Sequence, residues 1–518
     1  MKRTLKVLAL VLAVCAIVAI ASVAVVSRTA FGRERVRMLV LGTLRDVVHG
    51  TLTVQRIDGD LFGAFTLVGV RIVDSTGAPF IAADSVSLRL DIMPLLRKRV
   101  RVSEVTFSRP IVTLAQTADG RWNYQRIFPT DSQASTSTKP GYGDWVRFDD
   151  VSVRDGLVTL RRPWNPGGPA AKRDSVIAAA LAPNARAIIE RSADGFTQVM
   201  TFASLRGHMP RIIVADPSDR DIRIDIDSLS AIAAIFRPPT LDIRQLAGRV
   251  RIGADSITVS PLTIVLPDSR ASGRVVVQSA SGDVAATLDI PTLSFADARA
   301  LYPALPASGT ARMRLEMLVR DSLSSEYRVT DAKISVDSTL IVGSMGLALN
   351  DSTTVFSSTD IEITALTTAL VHRLAPTVEF PLEGSVSGHA KLDGPLTDMQ
   401  VDLNMMVRAR GHAPFRAVAR GGVGFGDAIT AKALYANGER VPLTLAREFD
   451  VKLPVGGVLS AEGTLSGSSK GRLSGNIRLA HVERGAVSRV ALQGIVSMVD
   501  SLRMDVTARI ERLALVLA

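Results

Sequence analysis

The sequence has little cysteine and little aromatic side-chain mass. A single cysteine, Cys15, among 518 residues excludes a disulfide within one chain and a cysteine-based metal site. Aromatic residues make up only 5% of the chain although hydrophobic residues make up 47%, so the apolar mass is aliphatic. A chain this apolar is expected to fold. Its stability must come from burial of aliphatic side chains and from backbone pairing.

No group of residues has the spacing of a catalytic or metal site. The stretch GGVGFG at 421–426 has the glycines of a phosphate loop but lacks the lysine and the strand-to-helix context, so it predicts a turn or a strand bulge. The histidines are scattered without metal-ligand spacing, and we expect them to face solvent: His49, His208, His372, His389, His412 and His481. We therefore predict no catalytic residue, no metal, no cofactor and no enzymatic activity.

The net charge of +11 raises the question of an anionic partner. The lysines and arginines are spread along alternating stretches, with no dense run and no recognisable nucleic-acid motif. We expect no nucleic-acid partner. A basic exterior is compatible with anionic lipid surfaces, and an ordinary solvated face explains it equally well.

The N-terminus carries the longest apolar run, residues 7–26, in which only Ser22 is polar. As a helix it would span about 30 Å, the thickness of the hydrocarbon core of a bilayer. We predict a single-pass transmembrane anchor there, after a cytoplasmic segment 1–6, and a cleaved signal peptide is the alternative. Basic residues lie on both sides of the run, so the charge rule for orientation is mixed. Both interpretations place the remainder outside the cytoplasm.

Apolar spacing at 33–49 is helical, and it predicts a helical lead-in at 27–50. From about residue 52 the period changes to two, as in "IRIDID" at 222–227. Strict alternation is typical of strands with one apolar and one wet face. Residues 51–128 and 145–518 are thus predicted to be all-β, separated by a low-complexity loop at 129–144.

Several local signals punctuate the β region. Recurrent Asp-Ser pairs favour turns, and residues 292–303 and 365–376 are expected to contain short helices. Glycines also repeat at a fixed spacing: Gly384, Leu392 and Gly394 are matched by Gly457, Leu465 and Gly467. We therefore expect a repetitive β surface and not a point-like active site.

The apolar face of each strand must be hidden from water. A sandwich, a closed barrel, or one sheet curled so that its apolar face lines a groove would each do this, and the sandwich remains open. An empty groove would be a large exposed apolar patch, which acyl chains could fill. The predicted lining consists of alternating aliphatic residues: Val86, Leu88, Leu90, Ile222, Ile224, Ile226, Leu315, Met317, Val401, Leu403 and Met405. Their neighbours Arg223, Asp225 and Asp402 should lie on the opposite face.

Residues 59–123 are the most specific part of the chain. They contain Gly63 before a strand that ends in GVRIVD, then Gly77 and Pro79. These are followed by AADSVSLRLD, MPLLRKRVRVSEV, RPIVTL and DGRWN at 119–123. This layout of strands and turns resembles the N-terminal region of the AsmA-like superfamily, which includes TamB. The later glycine-stepped stretches are similar to the body of the same proteins.

The resemblance implies an elongated, twisted antiparallel β-sheet curled into a taco-like groove. It also implies an inner-membrane anchor, with the body in the periplasm. Such proteins are thought to pass phospholipids toward the outer membrane, so the expected partners are phospholipid acyl chains and the inner membrane. The alternative function is a scaffold for outer-membrane protein assembly, whose partner would be an outer-membrane β-barrel protein. Trp122 and Asn123 would form a structural corner after a hairpin.

Overall fold

A computed structural model describes the chain from residue 50 to residue 514, with internal gaps at 60–63, 96, 128–143, 167–171, 193–194, 220, 321–323, 351–352, 376–381, 450–454 and 498–502. The 26 strands in these residues belong to one mixed, mostly antiparallel sheet, and a few short helices accompany them. The predicted all-β class is confirmed. The chain divides into two units, one made of residues 1–267 with 274–280 and the other of residues 268–273 with 281–518.

None of the helices in residues 50–514 is long and apolar enough to cross a membrane. The predicted transmembrane helix at 7–26 lies outside the described residues. So do all of the helical lead-in except Gly50, which begins the first strand, and nearly all of the predicted loop at 129–144.

The described residues of the first unit form twelve strands and three short helices. Its strands are β1 (Gly50–Thr53), β2 (Arg56–Gly59), β3 (Ala64–Asp74), β4 (Pro79–Leu90), β5 (Val100–Ser108), β6 (Ile111–Ala115), β7 (Val146–Pro163), β8 (Ile189–Ser192), β9 (Gly195–Ala215), β10 (Ile222–Ala234), β11 (Leu241–Ile252) and β12 (Ser256–Val265). Its helices are α1 (Ile92–Leu95), α2 (Asn123–Ile127) and α3 (Arg173–Leu181).

Two pairings in this unit differ from the wholly antiparallel sheet that the sequence predicted. Strand β7 runs parallel to both β5 and β6. Strands β5 and β6 are two parts of one run, interrupted where Pro110 has no N–H to donate and Arg109 has a φ of 46°. Parallel strands need a crossover connection, and the chain that includes α2 provides it.

A closed hydrophobic core lies under β1 to β7. Val105 and Val151 are each only 2% exposed, and Val86, Val102 and Ala83 are buried with them. A second, smaller cluster joins Ile127 of α2 to Phe80 of β4. The start of the first unit is therefore held together by conventional core packing.

The buried Asn123 fixes the corner between β6 and α2. Its side-chain amide donates to the Thr113 carbonyl over 2.7 Å, and its Oδ1 accepts from the Ala115 N–H over 3.2 Å. Trp122 forms an isolated β-bridge with Gln116. The structural interpretation of Trp122 and Asn123 is confirmed, because the asparagine satisfies the backbone where the strand ends.

The second unit is a succession of strands that each have 10 to 14 residues. They are β14 (Val284–Ser294), β15 (Thr310–Arg320), β16 (Ser324–Val336), β17 (Thr339–Asn350), β18 (Thr354–Thr367), β19 (Gly384–Pro395), β20 (Met399–Ala409), β21 (Phe415–Gly424), β22 (Thr430–Pro442), β23 (Val458–Ser468), β24 (Arg472–Glu483), β25 (Ala486–Ser497) and β26 (Arg503–Arg512). The remaining strand, β13 (Arg270–Gln278), has residues in both units.

From β14 to β26 each strand pairs antiparallel with the next along the chain. Short helices α4 (Phe295–Ala298) and α5 (Thr368–Leu374) and a 3₁₀ helix (Leu443–Phe449) join some of them. Helices α4 and α5 confirm the two helical predictions with shorter bounds. Among the described residues of this unit, the buried cluster of Phe295, Ala311 and Val336 is small.

Two sequence signals were misleading. The alternation at 86–92 predicted that Ile92 belongs to the strand, but β4 ends at Leu90 and Ile92 begins α1, two residues before Pro94. The Asp-Ser pairs at 84–85 and 227–228 were expected to form turns, but both lie inside strands. The second pair sits at a register shift in β10, where an irregular backbone accommodates it.

Candidate functional site

The candidate site is the apolar face of the sheet within each unit. Residues directly opposite each other on neighbouring strands point to the same side. The observed registers therefore define rows of side chains that cross the strands. In both units, apolar rows lie on one face of the sheet and polar or charged rows lie on the opposite face.

Two apolar rows cross the first unit. The first row joins Leu90, Val102, Phe148, Ile212, Ile224, Val250 and Val259. The second row joins Ile57, Leu67, Val86, Phe107, Val153, Gly207, Leu229, Leu246 and Ile264. No polar side chain interrupts either row.

Two longer apolar rows cross the second unit. Row A joins Leu293, Ala311, Ile334, Ile341, Ile363, Gly388, Met405, Ala417, Gly438, Ala461, Leu479, Val490 and Ile510. Row B joins Ala332, Gly343, Ile361, Ala390, Leu403, Ala419, Ala436, Gly463, Ile477, Leu492 and Ala508. Every member is aliphatic or glycine.

The predicted lining residues of the second unit all lie on this apolar face. Met405 is in row A and Leu403 is in row B, and Val401 lies opposite Leu392 one row further. Leu315 lies opposite Leu288 and Val329, and Met317 lies opposite Ala286 and Tyr327. In the sequence these residues belong to separate alternating stretches. The pairing of the strands places them on one face of the sheet.

In the first unit the predicted residues fall into two groups. Ile224 lies in the first apolar row, Ile222 lies opposite Ile252, and Ile226 lies opposite Gly248. Val86, by contrast, is part of the closed core, and Leu88 and Leu90 pack against that core. Core packing alone accounts for the apolar character of these three β4 residues.

Side chains on the apolar face of the second unit are shielded only in part. In row A, Ala311 and Ile363 are buried and Ile510 is exposed, whereas the other members are half-buried. In row B, Ala332 and Ala390 are buried, Ala508 is exposed, and the other members are half-buried. Packed sandwich layers interdigitate and bury their facing side chains. Half-buried side chains are expected when only the neighbouring side chains of the same sheet cover them and no second layer packs on top.

Bulges bend the strands of the second unit at regular intervals. Register shifts in β16, β18 and β22 coincide with non-glycine residues at positive φ, such as Ala365 (50°) and Ala433 (46°). At four bulges the backbone N–H donates to a side-chain oxygen on the next strand: Ser358 to Asp393, Ala365 to Ser387, Ala433 to Ser466 and Arg440 to Ser460. Bulges increase local twist and curvature.

Glycine is required at one crowded position of row A. Gly388 has a φ of 141°, and a Cβ there would collide with the Asn404 carbonyl oxygen of the neighbouring strand. Gly438 lies in the same row, but a Cβ there would first meet only the Val441 methyl group, at 3.0 Å. The glycine at 388 therefore permits a close approach between β19 and β20 that an alanine would prevent.

The opposite face of the first unit is charged. One row there alternates in sign across Asp149, Arg211, Asp225 and Arg249. Asp149 accepts hydrogen bonds from Arg147 over 2.7 Å and from Arg101 over 2.9 Å. Burial opposes the ionisation of this carboxyl, but the two arginine hydrogen bonds outweigh burial and hold the pKa of Asp149 below its ordinary value. We therefore interpret this face as the one that contacts solvent.

The opposite face of the second unit has the same character. One row there joins Ser344, Asp360, Lys391, Asp402, Arg420, Tyr435, Thr464, Asn476, Gln493 and Thr507. A hydrogen bond from Lys391 and then one from His389 lower the pKa of Asp360. Arg420 pairs with Asp402 over 3.1 Å. The predicted facing positions Arg223, Asp225 and Asp402 thus all lie on polar faces.

A shallow pocket of about 430 Å³ lies at the Ser358 bulge. Its walls include Leu392 and Val401 from the apolar face, but also Asp360, Lys391 and Asp402 from the polar face. Because residues of both faces line this pocket, we interpret it as a gap that the bulge opens between neighbouring strands. It is not a closed chamber for one ligand. Val401 is the one predicted lining residue at this pocket.

The structure corrects the expectation for His412. Its side chain is only 10% exposed, and it hydrogen-bonds Thr444 over 2.8 Å and Glu448 over 3.2 Å in the 3₁₀ helix. A lone histidine in sequence carries no signal for such a tertiary contact. Within the described residues, no cluster of histidine, cysteine and carboxylate side chains could hold a metal ion. The GGVGFG stretch lies at a register shift of β21, as predicted.

Comparisons of the chain with models of protein families, with curated proteins and with solved structures found no match.

Proposed function

We propose that the protein is a non-enzymatic conduit for phospholipids between the inner and outer membranes. In this proposal residues 7–26 anchor the chain in the inner membrane, and the β body lies in the periplasm. Acyl chains would move along the apolar face, which would curl into the groove that the resemblance to the AsmA-like superfamily implies.

The observation that carries the proposal is the continuity of rows A and B. They run from strand to strand across the second unit without a polar interruption, and most of their side chains are only half-buried. Half-buried aliphatic rows of this length leave apolar surface that water would penalise. A lipid tail is an occupant that would remove this penalty.

The chemistry of the rows also favours movement over retention. Each CH₂ group of a tail gains about 0.8 kcal/mol on leaving water, whether it enters a bilayer or an aliphatic face. Transfer between the two therefore costs little. Rows A and B consist of Ala, Gly, Ile, Leu and Val with one methionine, Met405, and they offer no polar side chain to hold a headgroup at one position. A tail would have no deep energy minimum in which to stop.

The proposal does not rest equally on all predicted lining residues. Leu403 and Met405 are half-buried, and so are most other members of their rows. They are therefore the strongest candidates to contact lipid. Val86, Leu88 and Leu90 belong to or pack against a closed core, where they stabilise the fold. Substitutions in β4 are accordingly a poor test of lipid contact.

Adjacent methionines on β20 provide a matched test. Met405 belongs to row A, whereas Met406 points to the polar face opposite Ser387 and Arg416. A photo-crosslinking amino acid at 405 should give phospholipid adducts, and the same amino acid at 406 should give few. In a vesicle-to-vesicle transfer assay, Leu403→Asp with Met405→Asp should block transfer, whereas Asn404→Asp with Met406→Asp should not.

Equal behaviour of the two pairs in both assays would contradict the conduit. Thermal melting of each variant provides the control for folding. An aspartate that remains in contact with water costs little stability, whereas one forced into a closed core costs several kcal/mol.

A second function, a scaffold for outer-membrane protein assembly, is favoured by one observation. All ten residues of β26 are exposed, and on the side away from β25 this strand has no partner among the described residues. An unpaired edge can accept a strand from another chain. Photo-crosslinks from β26 to β-barrel proteins, without lipid adducts at 405, would favour this function over the conduit.

A further inference from the structure

The polar face changes character at the last three strands. Residues of β24, β25 and β26 on this face are paired in register, and they include six exposed arginines: Arg472, Arg478, Arg489, Arg503, Arg509 and Arg512. The only carboxylate paired in register on this face of the three strands is Asp505, since Glu511 falls at the register shift of β26. We refer to this surface as the arginine face.

Elsewhere on the polar side of this unit, several basic residues have acidic partners, although Arg312 and Lys333, which lie opposite each other on β15 and β16, and Arg408 have none among the described residues. Arg420 pairs with Asp402, Lys391 pairs with Asp360 and Lys432 pairs with Asp398, at 2.5 to 3.1 Å. None of the six arginines of the arginine face has an ion-pair partner among the described residues. Even Glu462, opposite Arg478 on β23, is engaged by the hydroxyl of Tyr435.

The arrangement costs the isolated protein stability. Arg489 lies directly opposite Arg512 across the β25–β26 pair, and like charges facing each other on adjacent strands repel. No ion pair within the described part of the chain offsets this repulsion. An external anion would relieve it, and guanidinium groups match phosphate in geometry as well as in charge.

Aliphatic side chains lie among the arginines on the same face. Ile495 is 41% exposed and Val482 is 36% exposed, and both point to the arginine side in the β24–β25 register. The three strands contain no Phe, Tyr or Trp, the residues on which unpaired bases stack. Basic groups interspersed with exposed aliphatic groups fit the phosphates and the glycerol region of a lipid surface.

We propose that the arginine face docks the protein onto a membrane surface that carries anionic phospholipids. The arginines would bind lipid phosphates while Ile495 and Val482 contact the interface below them. This docking lies on the opposite side of the sheet from rows A and B. It therefore does not depend on acyl chains occupying the apolar face.

Capture of vesicles by the full chain tests the proposal. The chain is held in nanodiscs of neutral lipid, and sucrose-loaded vesicles of phosphatidylcholine, alone or with about 30 mol% phosphatidylglycerol, are sedimented with it. The test variant carries Arg478→Gln, Arg489→Gln, Arg503→Gln and Arg509→Gln. A matched variant removes four charges that have partners in the same unit: Arg314→Gln, Arg328→Gln, Arg416→Gln and Arg420→Gln.

Wild type and the matched variant should sediment with anionic vesicles and not with neutral ones, and about 0.5 M salt should release them. The test variant should bind anionic vesicles more weakly, by a factor on the order of a thousand. Its bound lipid should stay at the wild-type level, and its melting temperature should not fall, because Arg489→Gln removes the repulsion from Arg512. This separates the outcome from failure of the conduit.

Three results would overturn the proposal. The first is equal vesicle binding by the two four-site variants, and the second is equal binding to neutral and anionic vesicles. The third is displacement of the vesicles by equimolar single-stranded DNA, which would assign the arginine face to polyanions in general and not to a lipid surface.

Discussion

At the scale of single residues, Asp74 shows how much one side chain can fix. The carboxylate is only 2% exposed at the end of β3, and it accepts hydrogen bonds from the Thr76 N–H, the Thr76 hydroxyl, the Ala78 N–H and Arg126, all within 3.0 Å. Burial opposes its ionisation, but these hydrogen bonds outweigh burial, so the pKa of Asp74 is lowered. In the sequence, GVRIVD indicates that a strand ends there, but nothing indicates the contact with Arg126.

Replacement of Asp74 by alanine should lower the free energy of unfolding by about 2–4 kcal/mol at pH 7, because it leaves buried donors without an acceptor. Since the folded pKa lies below the unfolded value of about 3.9, the ionised carboxylate stabilises the protein above that pH. This contribution is lost as the pH falls through the folded pKa. Urea unfolding of both proteins at several pH values measures it. A difference that does not shrink in acid would contradict the role assigned to the charge.

The bulges of the second unit could not be predicted from single residues. Serines such as Ser387 and Ser466 read as ordinary polar positions of alternating strands, yet each accepts the N–H of a bulged alanine on the preceding strand. Ala365 and Ala433 give no sequence signal for a positive φ. Bulges arise from the fit between two strands, so one strand's sequence cannot place them.

At the scale of elements, prediction succeeded where the period is strong. The strands around Ile224, Leu315 and Leu403 were found because strict alternation over several residues is typical of a strand and of neither a helix nor a loop. Helix α3, by contrast, was missed. It contains no buried residue, and its apolar residues follow no period that would have marked a helix. The parallel pairing of β7 was missed as well, because strand order depends on contacts distant in sequence.

A glycine comparison tests how closely the strands of row A approach each other. Gly388→Ala should cost more than about 2 kcal/mol, because the added Cβ meets backbone of β20 and the positive φ is strained for alanine. Gly438→Ala, in the same row, should cost less than about 1 kcal/mol, because a flexible Val441 side chain can move aside. Denaturant unfolding measures both values. Similar losses for the two substitutions would show that the β19–β20 contact is not the constraint.

At the scale of the whole molecule, alternation in sequence predicted that every strand has two unlike faces. It could not predict which residues of distant strands share a row, since registers are set by turns and bulges. Ile363, Gly388 and Met405 become one continuous surface only in the folded sheet. The sequence also left a packed sandwich open, and the half-buried state of rows A and B now argues against that for the second unit.

The central claim is that this apolar face is open and holds lipid tails. Native mass spectrometry of the gently purified full chain tests it most directly, in wild type and in the two β20 variants. We predict phospholipid bound to wild type and to Asn404→Asp with Met406→Asp, and its loss from folded Leu403→Asp with Met405→Asp. A wild-type protein without lipid, or a row variant that keeps as much as wild type, would contradict the account.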